Sequence, residues 1–325
     1  MTIKGWRPGA PKDALLARAR LLQQIRSFFS AREVLEVETP MLGSYGVTDP
    51  AIEPLRVRHA ATAAAPEFLQ TSPEFFMKRL LAAGSGPIYQ LGRAFRAGES
   101  GSRHNPEFTL LEWYRPGLDL PALMSEVEDL LLECLLTAGR ERPAVERLSY
   151  AQAFIASVGL DPHAADDAEL ELAAREVTET AELELDRDGW LDLLMTHVVE
   201  PALQPRGLVF VYDYPASQAA LARCHDRKGT RVADRFEAYL DGMELANGYR
   251  ELLDADEHVV RAERDNRVRQ SLGIEERELD PRLLDALASG LPDCSGVALG
   301  VDRLLMRILG ARTLDEVLAF SWERS

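Results

Sequence analysis

The chain has 325 residues, 46% of them hydrophobic, enough to bury a large core, and no Gly/Ser-rich or Pro-rich tract divides it, so one main domain is expected. Fifty-three acidic residues against 37 basic ones leave a net charge of −16, which argues against a general nucleic-acid or anionic-membrane surface, because phosphate backbones are gripped chiefly by lysine and arginine. A basic protein partner or a small charged ligand fits this balance better.

The N-terminal stretch MTIKGWRPGAPKDALLARAR carries arginines where a signal peptide needs an unbroken apolar run, and no apolar run of about 18 residues occurs anywhere, so a soluble, unprocessed, cytoplasmic chain without a membrane segment is expected. Leu15, Leu22, Ile25 and Phe29 at helical spacing behind Asp13 as N-cap predict a helix over 13–30. A short strand, VLEVETP, stops at Pro40. SPEFFMKRLLAAG, 72–84, has a cap serine, proline at the first helical position, an early glutamate and a closing glycine, and predicts a helix.

A hairpin follows, with PIYQLGRAFR and EFTLLEWYR as strands and AGESGSRHNP as a long polar loop. Period two puts Phe108, Leu110, Glu112 and Tyr114 on one face of the return strand, so a carboxylate and a phenol share a pocket. A helix over 121–136 precedes an acidic, helical stretch from Asp161 to Asp192. A second hairpin reads LVFVYDYPASQAAL, a charged turn, then RFEAYLDGMELANGYREL with Asp241-Gly242 as a turn signal. Helices over 256–271 and 281–289 lead to GVALGVDRLLM, a glycine-spaced strand that hands over to a helix at Arg303. Strands paired by hairpins, without regular crossover helices, predict an α+β fold, an antiparallel sheet flanked by helices. Cys134, Cys224 and Cys294 have no C-x-x-C spacing, and neither a disulfide framework nor a zinc site is indicated.

No G-x-x-x-x-G-K-[ST] and no G-x-G-x-x-G after a strand occurs, so any phosphate must be gripped by side chains. Arg96 and Arg303, each at a strand end, are suited to that, since a guanidinium is always charged and forks onto phosphate oxygens; a single arginine is otherwise a surface or ion-paired residue. Glu237, Glu244 and Glu251 are spaced by seven, with Asn247, Gly248 and Tyr249 between the last two. Glutamates in strands rich in Phe, Tyr, Leu and Met face cations, magnesium or a substrate ammonium, or else form a solvated hairpin face. His104 positions its loop in preference to acting as a base, Ser72 caps a helix in preference to attacking, and the acidic stretch reads as a solvated face.

Together these segments resemble the motifs of class II aminoacyl-tRNA synthetases, most closely the lysyl branch: VETPML motif 1, FRAGESGSRHNPEFTLLEWYR the motif 2 hairpin, GVALGVDR motif 3, and FEAYLDGMELANGYREL the lysyl acidic strand pair. With SPEFFMKRLL and PDCSGVALGVDR, the chain is similar over nearly its whole length to the elongation factor P (R)-β-lysine ligase family. The resemblance implies one class II synthetase-like catalytic domain over 1–325 with an acidic helical insertion at about 161–195. It implies a homodimer through motif 1, and ATP and Mg2+ as cofactors. Arg96 would bind the α-phosphate and Arg303 the γ-phosphate of a bent ATP, with Asn105 and Phe108 flanking the nucleotide. Ala97, Gly98, Leu245 and Gly300 complete the nucleotide contacts, and Glu237 and Glu244 would hold magnesium.

Ser72, Pro73, Glu74, Glu112, Tyr114, Asn247, Tyr249, Glu251 and Ala298 would surround a lysine-like substrate. The family's activity is ATP-dependent activation of (R)-β-lysine or lysine and transfer to a lysine of elongation factor P. Three departures from the synthetases bear on this. Only about a dozen residues precede the first helix, so the anticodon-reading module is expected to be missing and tRNA is not the expected acceptor. Ala298 stands where the lysyl enzymes have glycine, and its methyl favours a shifted amine such as that of β-lysine. Gly98 stands where they have the adenine-contacting glutamate, with Glu99 one place later. A stand-alone amino-acid activator with a small-molecule acceptor and a non-catalytic synthetase paralogue are the alternative readings.

Overall fold

Leu21, Ile25, Phe28 and Phe29 recur at helical spacing and bury one side of α1, Lys12–Ser30. The computed structural model describes residues 6–57, 67–178 and 184–325. Pro11, not Asp13, occupies the N-cap of α1, and Asp13 lies in the first turn, where its charge suits the helix dipole. The strand expected over VLEVETP shrinks to β1, Leu35–Glu36, because the chain then leaves the sheet: the Thr39 N–H turns to the Gln90 side chain (2.8 Å), and Pro40 has no N–H to offer.

Three short strands, β2 (Leu42–Gly43), β3 (Arg56–Val57) and β4 (Glu67–Leu69), make a separate small sheet in the order β2-β4-β3. Helix α2, Glu74–Ala82, follows. The first hairpin forms as expected from β5, Ile88–Phe95, and β6, Glu107–Pro116, and leads to α3, Leu120–Thr137. Next come β7 (Val145–Ser149), α4 (Tyr150–Ser157), α5 (Asp167–Val177), α6 (Arg187–Leu194), a π-helical turn at Met195–Val199 and α7 (Glu200–Leu203). The acidic stretch is thus helical in α5 and α6, with residues 179–183 outside the described set. It is not merely a solvated face, since Leu170, Ala174, Trp190 and Leu191 are buried.

The charged turn expected after β8, Leu208–Pro215, is itself a strand, β9, Cys224–Arg227. It forms a hairpin with the start of β10, Thr230–Leu240, while β8 pairs with β10 from Val232 to Leu240, so that Val232 and Ala233 are paired with both. β10 and β11, Met243–Arg250, meet at Asp241-Gly242, where both residues take positive φ (48° and 72°), the turn that a tight, right-twisted hairpin favours. Helices α8 (Ala255–Ser271) and α9 (Pro281–Gly290) precede β12, Cys294–Gly300, and α10, Val301–Leu309.

The main sheet runs β1-β5-β6-β12-β11-β10-β8-β7, with β9 on β10. Only β1 with β5 and β7 with β8 are parallel. One face packs on α1, α3 and α10 through Phe29, Leu111, Trp113, Val297, Leu299, Phe236 and Leu304. Two smaller cores, one around Trp190 and Tyr239 and one between α2 and α9, flank the opposite face. The middle of that face is left for a cleft.

Gly248 on β11 lets strands and side chains close here: a Cβ would lie 2.5 Å from Phe236 and 3.0 Å from Val297. Gly248→Ala is expected to destabilise the fold by about 1–3 kcal/mol through overpacking, read as a lower thermal midpoint in calorimetry.

Candidate active site

Alternation along three adjacent central strands aims one set of side chains into the cleft: Phe108, Leu110, Glu112 and Tyr114 from β6, Gly296, Ala298 and Gly300 from β12, and Asn247 and Tyr249 from β11. A β-bulge in the β10–β11 pairing, where Ala238 faces Ala246 but Tyr239 faces Glu244, breaks the alternation and adds Glu244 to the lining. Arg96, just past β5, and Arg303, in the first turn of α10, stand at the rim of the same cavity of about 240 Å3. Ser72, Glu74, Asn105 and Leu245 also line it; Pro73, Ala97, Gly98, Glu237 and Glu251 do not. Pro73 caps α2, Ala97 spends its N–H on the Glu53 carbonyl (2.7 Å), and Gly98 lies in the loop at φ 78°.

The two arginines make the cationic end. Arg96 meets the Glu99 carboxylate at 3.4 Å, lies over the Phe108 ring (5.1 Å to the centroid), and keeps a buried Nε without a partner. Arg303 donates to the Glu244 carbonyl and carboxylate, both 3.1 Å, and to the Arg103 carbonyl at 3.3 Å. Its second NH2 group contacts His104 Nε2 at 2.7 Å. Burial and the facing Arg303 hold His104 below its ordinary pKa, so the neutral ring accepts from the guanidinium and ties the loop down, as the sequence suggests.

Other ties to this loop escape sequence reasoning. The Leu314 N–H donates to the Ser102 carbonyl (2.9 Å), and the Trp322 N–H to Asn105 Oδ1 (2.8 Å). Asn105 Nδ2 donates to the Glu107 carbonyl (2.7 Å), so its amide is engaged in holding the loop. Buried Asp302 accepts from the Thr109 N–H (2.7 Å) and from Arg18, which locks the start of α10 onto β6 and fixes Arg303 relative to Arg96. None of these pairings leaves a local signal in the sequence.

The other end is anionic. Ser72 Oγ donates to Glu112 (2.6 Å) and accepts from the Glu74 N–H (3.0 Å); the N-cap of α2 is Pro73 and not the serine expected there, and Ser72, one residue outside, orients a carboxylate. Tyr114 Oη donates to the other Glu112 oxygen at 2.7 Å. Burial, with Glu74 and Glu251 nearby, pushes Glu112 up to about 8. Behind it Lys78, fully buried, bridges Glu74 (2.6 Å) and Glu251 (2.7 Å). Burial alone would lower that lysine, yet the two carboxylates carry it well above its usual value, and it stays charged. The i,i+4 pair Glu74–Lys78 is the one sequence signal that could have found it. Asn247 Oδ1 is buried in the lining without a partner.

Glu237 lies apart from this lining. Arg235 donates to one of its oxygens (2.5 Å), and Tyr214 (2.7 Å) and Tyr239 donate to the other. Glu244 is raised by burial and by Glu237, with Arg303 opposing, and Glu200 is pushed up to about 7 by burial, Glu244 and Glu237. Neighbouring carboxylates gathered at a cleft rim suit a divalent cation. Among the described residues no group of three or more ligating side chains is assembled, so Glu244 and the lone-pair site left on Glu237 could hold magnesium only together with phosphate oxygens, the usual mode for that ion. The cavity can therefore take a phosphate at the arginine end and an alkylammonium at the glutamate end.

With Glu112 raised to about 8, binding an ammonium beside it drives proton release below that pH. Affinity for lysine is expected to rise as pH increases towards 8, by at most about tenfold per unit. Calorimetric titrations across that range should show the rise, and Glu112→Gln should flatten it.

A sequence model of the tRNA synthetases class II (D, K and N) matches residues 5–324. The chain is 51% identical over 320 residues to the elongation factor P–(R)-β-lysine ligase of Yersinia enterocolitica, covering 97% of each chain. It is 50% identical, with the same coverage, to those of Yersinia pestis and Yersinia pseudotuberculosis. The chain belongs to the class II tRNA synthetases (D, K and N), in the branch of the elongation factor P–(R)-β-lysine ligases.

Proposed function

We propose that the chain activates (R)-β-lysine, or lysine, with ATP as an aminoacyl-adenylate and transfers it to a lysine side chain of elongation factor P. The observation that carries this reading is one cavity with Arg96 and Arg303 at one end and Glu112, Tyr114 and Glu74 at the other. An amino acid whose amines meet the glutamates turns its carboxylate towards the arginines. That carboxylate is ionised at pH 7, so its attack on the α-phosphorus, which breaks the bond to the α,β-bridging oxygen and releases pyrophosphate with the electron pair, needs alignment and charge neutralisation and no general base. In this reading Arg96 takes the α-phosphate, Arg303 the γ-phosphate, and Phe108 flanks the base. Magnesium held by Glu244 and Glu237 would neutralise phosphate charge. Attack by an acceptor amine on the adenylate carbonyl carbon then breaks the C–O bond to AMP, which leaves with the electron pair, while an ammonium acceptor gives up two protons in all.

We take residues 1–325 as a single catalytic domain with an acidic helical insertion at about 161–195, acting in the cytoplasm on a protein and not on tRNA. A homodimer through the segment around Pro40 is supported by three exposed apolar side chains there, Leu35, Met41 and Leu42. The acids lining the side-chain end oppose an aspartate substrate.

Pyrophosphate exchange with α-lysine and β-lysine, followed by intact mass of elongation factor P, tests the reading. Exchange and a mass gain of one lysyl group are expected; absence of exchange with either amino acid would overturn it. Arg303→Ala should cut exchange by about 10²–10³-fold while leaving the fold intact. The Ala298 methyl, on β12 opposite Glu112 and Asn247, is assigned to substrate choice. Ala298→Gly should raise kcat/KM for α-lysine relative to β-lysine by about tenfold or more, measured by the same exchange.

A further inference from the structure

A second, larger cavity of about 540 Å3 adjoins the first and shares Ser72, Glu74, Arg96, Glu244 and Tyr249 with it. Arg96 thus belongs to the wall common to the two. Residues of β10, α6, α8 and the 47–52 loop line the second chamber. Nine carboxylates and four arginines contribute to that lining, and no lysine does.

Apart from Arg96 at the shared wall, the arginines are already engaged. Arg235 serves Glu237 and the Gln218 carbonyl, Arg261 serves Glu257 and two carbonyls, and Arg264 serves the Ser217 carbonyl. Asp188 and Asp192, by contrast, accept from neutral groups, Ser217 Oγ at 2.6 Å and Gln218 Nε2 at 2.8 Å. They stand one turn apart on α6, a like-charge pair that weakens a helix. Burial pushes Asp192 up to about 6 against the pull of Arg235, with Asp188 and Glu237 adding to the rise.

An independent observation points to a ligand in the same place. Tyr150, the first residue of α4, is 1% exposed, lines this chamber, and buries its hydroxyl oxygen without a hydrogen-bond partner. An orphan of that kind is uncommon in a folded chain and is satisfied by what binds beside it. Two carboxylates and a phenol oxygen offer three acceptors, which is the complement of the three donors of an ammonium group.

We propose that this second chamber is the acceptor channel: Asp188, Asp192 and Tyr150 capture the ammonium of a lysine side chain on the protein substrate and guide it towards Arg96 and the activated carboxyl group. The channel rests on the reading of the chain as an adenylate-forming ligase. A flexible four-carbon stem suits the place, because it can carry a charge into a narrow acidic chamber while the rest of the protein stays outside.

Activation and transfer are separable, and that separates the outcomes. Pyrophosphate exchange and trapping of the adenylate with hydroxylamine read activation alone; intact mass of elongation factor P against time reads transfer. For Asp188→Asn with Asp192→Asn in the full chain, both activation readouts are expected within about twofold of the parent, while transfer kcat/KM falls about tenfold or more through a higher KM for the protein, the usual effect of removing a charge that pairs with a partner. Tyr150→Phe, which removes only the hydroxyl, should lower transfer severalfold and spare exchange. Unchanged transfer in both variants would overturn the proposal. So would equal loss of activation and transfer, since that assigns the residues to the fold or to the first chamber. Absence of exchange in the parent chain would instead overturn the ligase reading, and the channel with it.

Discussion

The central strands can carry charge on one face because the other face is sealed. Leu111 and Trp113 of β6 and Val297 and Leu299 of β12 bury against α1, α3 and α10, and their alternate neighbours must then point the opposite way. A slip of one residue in any of these pairings would exchange the two sets and bury the charges in the core. The apolar packing of one side therefore holds the register of Glu112, Tyr114 and Ala298 on the other.

The second constraint is that charges set into this face have to be answered. Lys78 between Glu74 and Glu251, and Arg235 beside Glu237, are answered from within the chain by close ion pairs. Arg96 is answered weakly, by Glu99 at 3.4 Å, and keeps an unpartnered nitrogen. Glu112 sits high because burial and the neighbouring Glu74 outweigh the two hydroxyl groups that hold it. Groups of the second kind have the most interaction left to offer a ligand. The same distinction separates Arg235, Arg261 and Arg264 of the larger chamber from Asp188 and Asp192.

Positioning of Arg96 and Arg303 depends on parts of the chain far from them. Asp302 joins α10 to β6 and to Arg18 of α1, and the C-terminal segment fastens the 98–105 loop at Ser102 and Asn105. The Glu53 carboxylate, gripped by buried Arg269 and Arg277, steadies the carbonyl that receives the Ala97 N–H next to Arg96. The reach of the catalytic hairpin is set by these anchors as much as by its own sequence.

Much of the fold was legible because its signals are short-range. Period-two alternation marked β6, Asp241-Gly242 marked the β10–β11 turn, and the strand-to-helix passage at Arg303 marked α10, each within a few residues. The family was legible for the same reason, since RHNPEFTLLEWYR and GVALGVDR are contiguous strings. The brevity of β1, the extra strand β9 and the partners of Glu237 were not, because each is decided by what another element places alongside. Lys78 meeting Glu251, Trp322 holding Asn105, and the chamber between α6, α8 and β10 likewise join residues distant in the chain. Which strands alternate, and which residues are able to grip phosphate or an ammonium, is written in the order of amino acids, since backbone periodicity and side-chain chemistry are local. Which charges neutralise one another and which stay free for a ligand is settled in three dimensions, because burial and ion pairing depend on packing across the sheet.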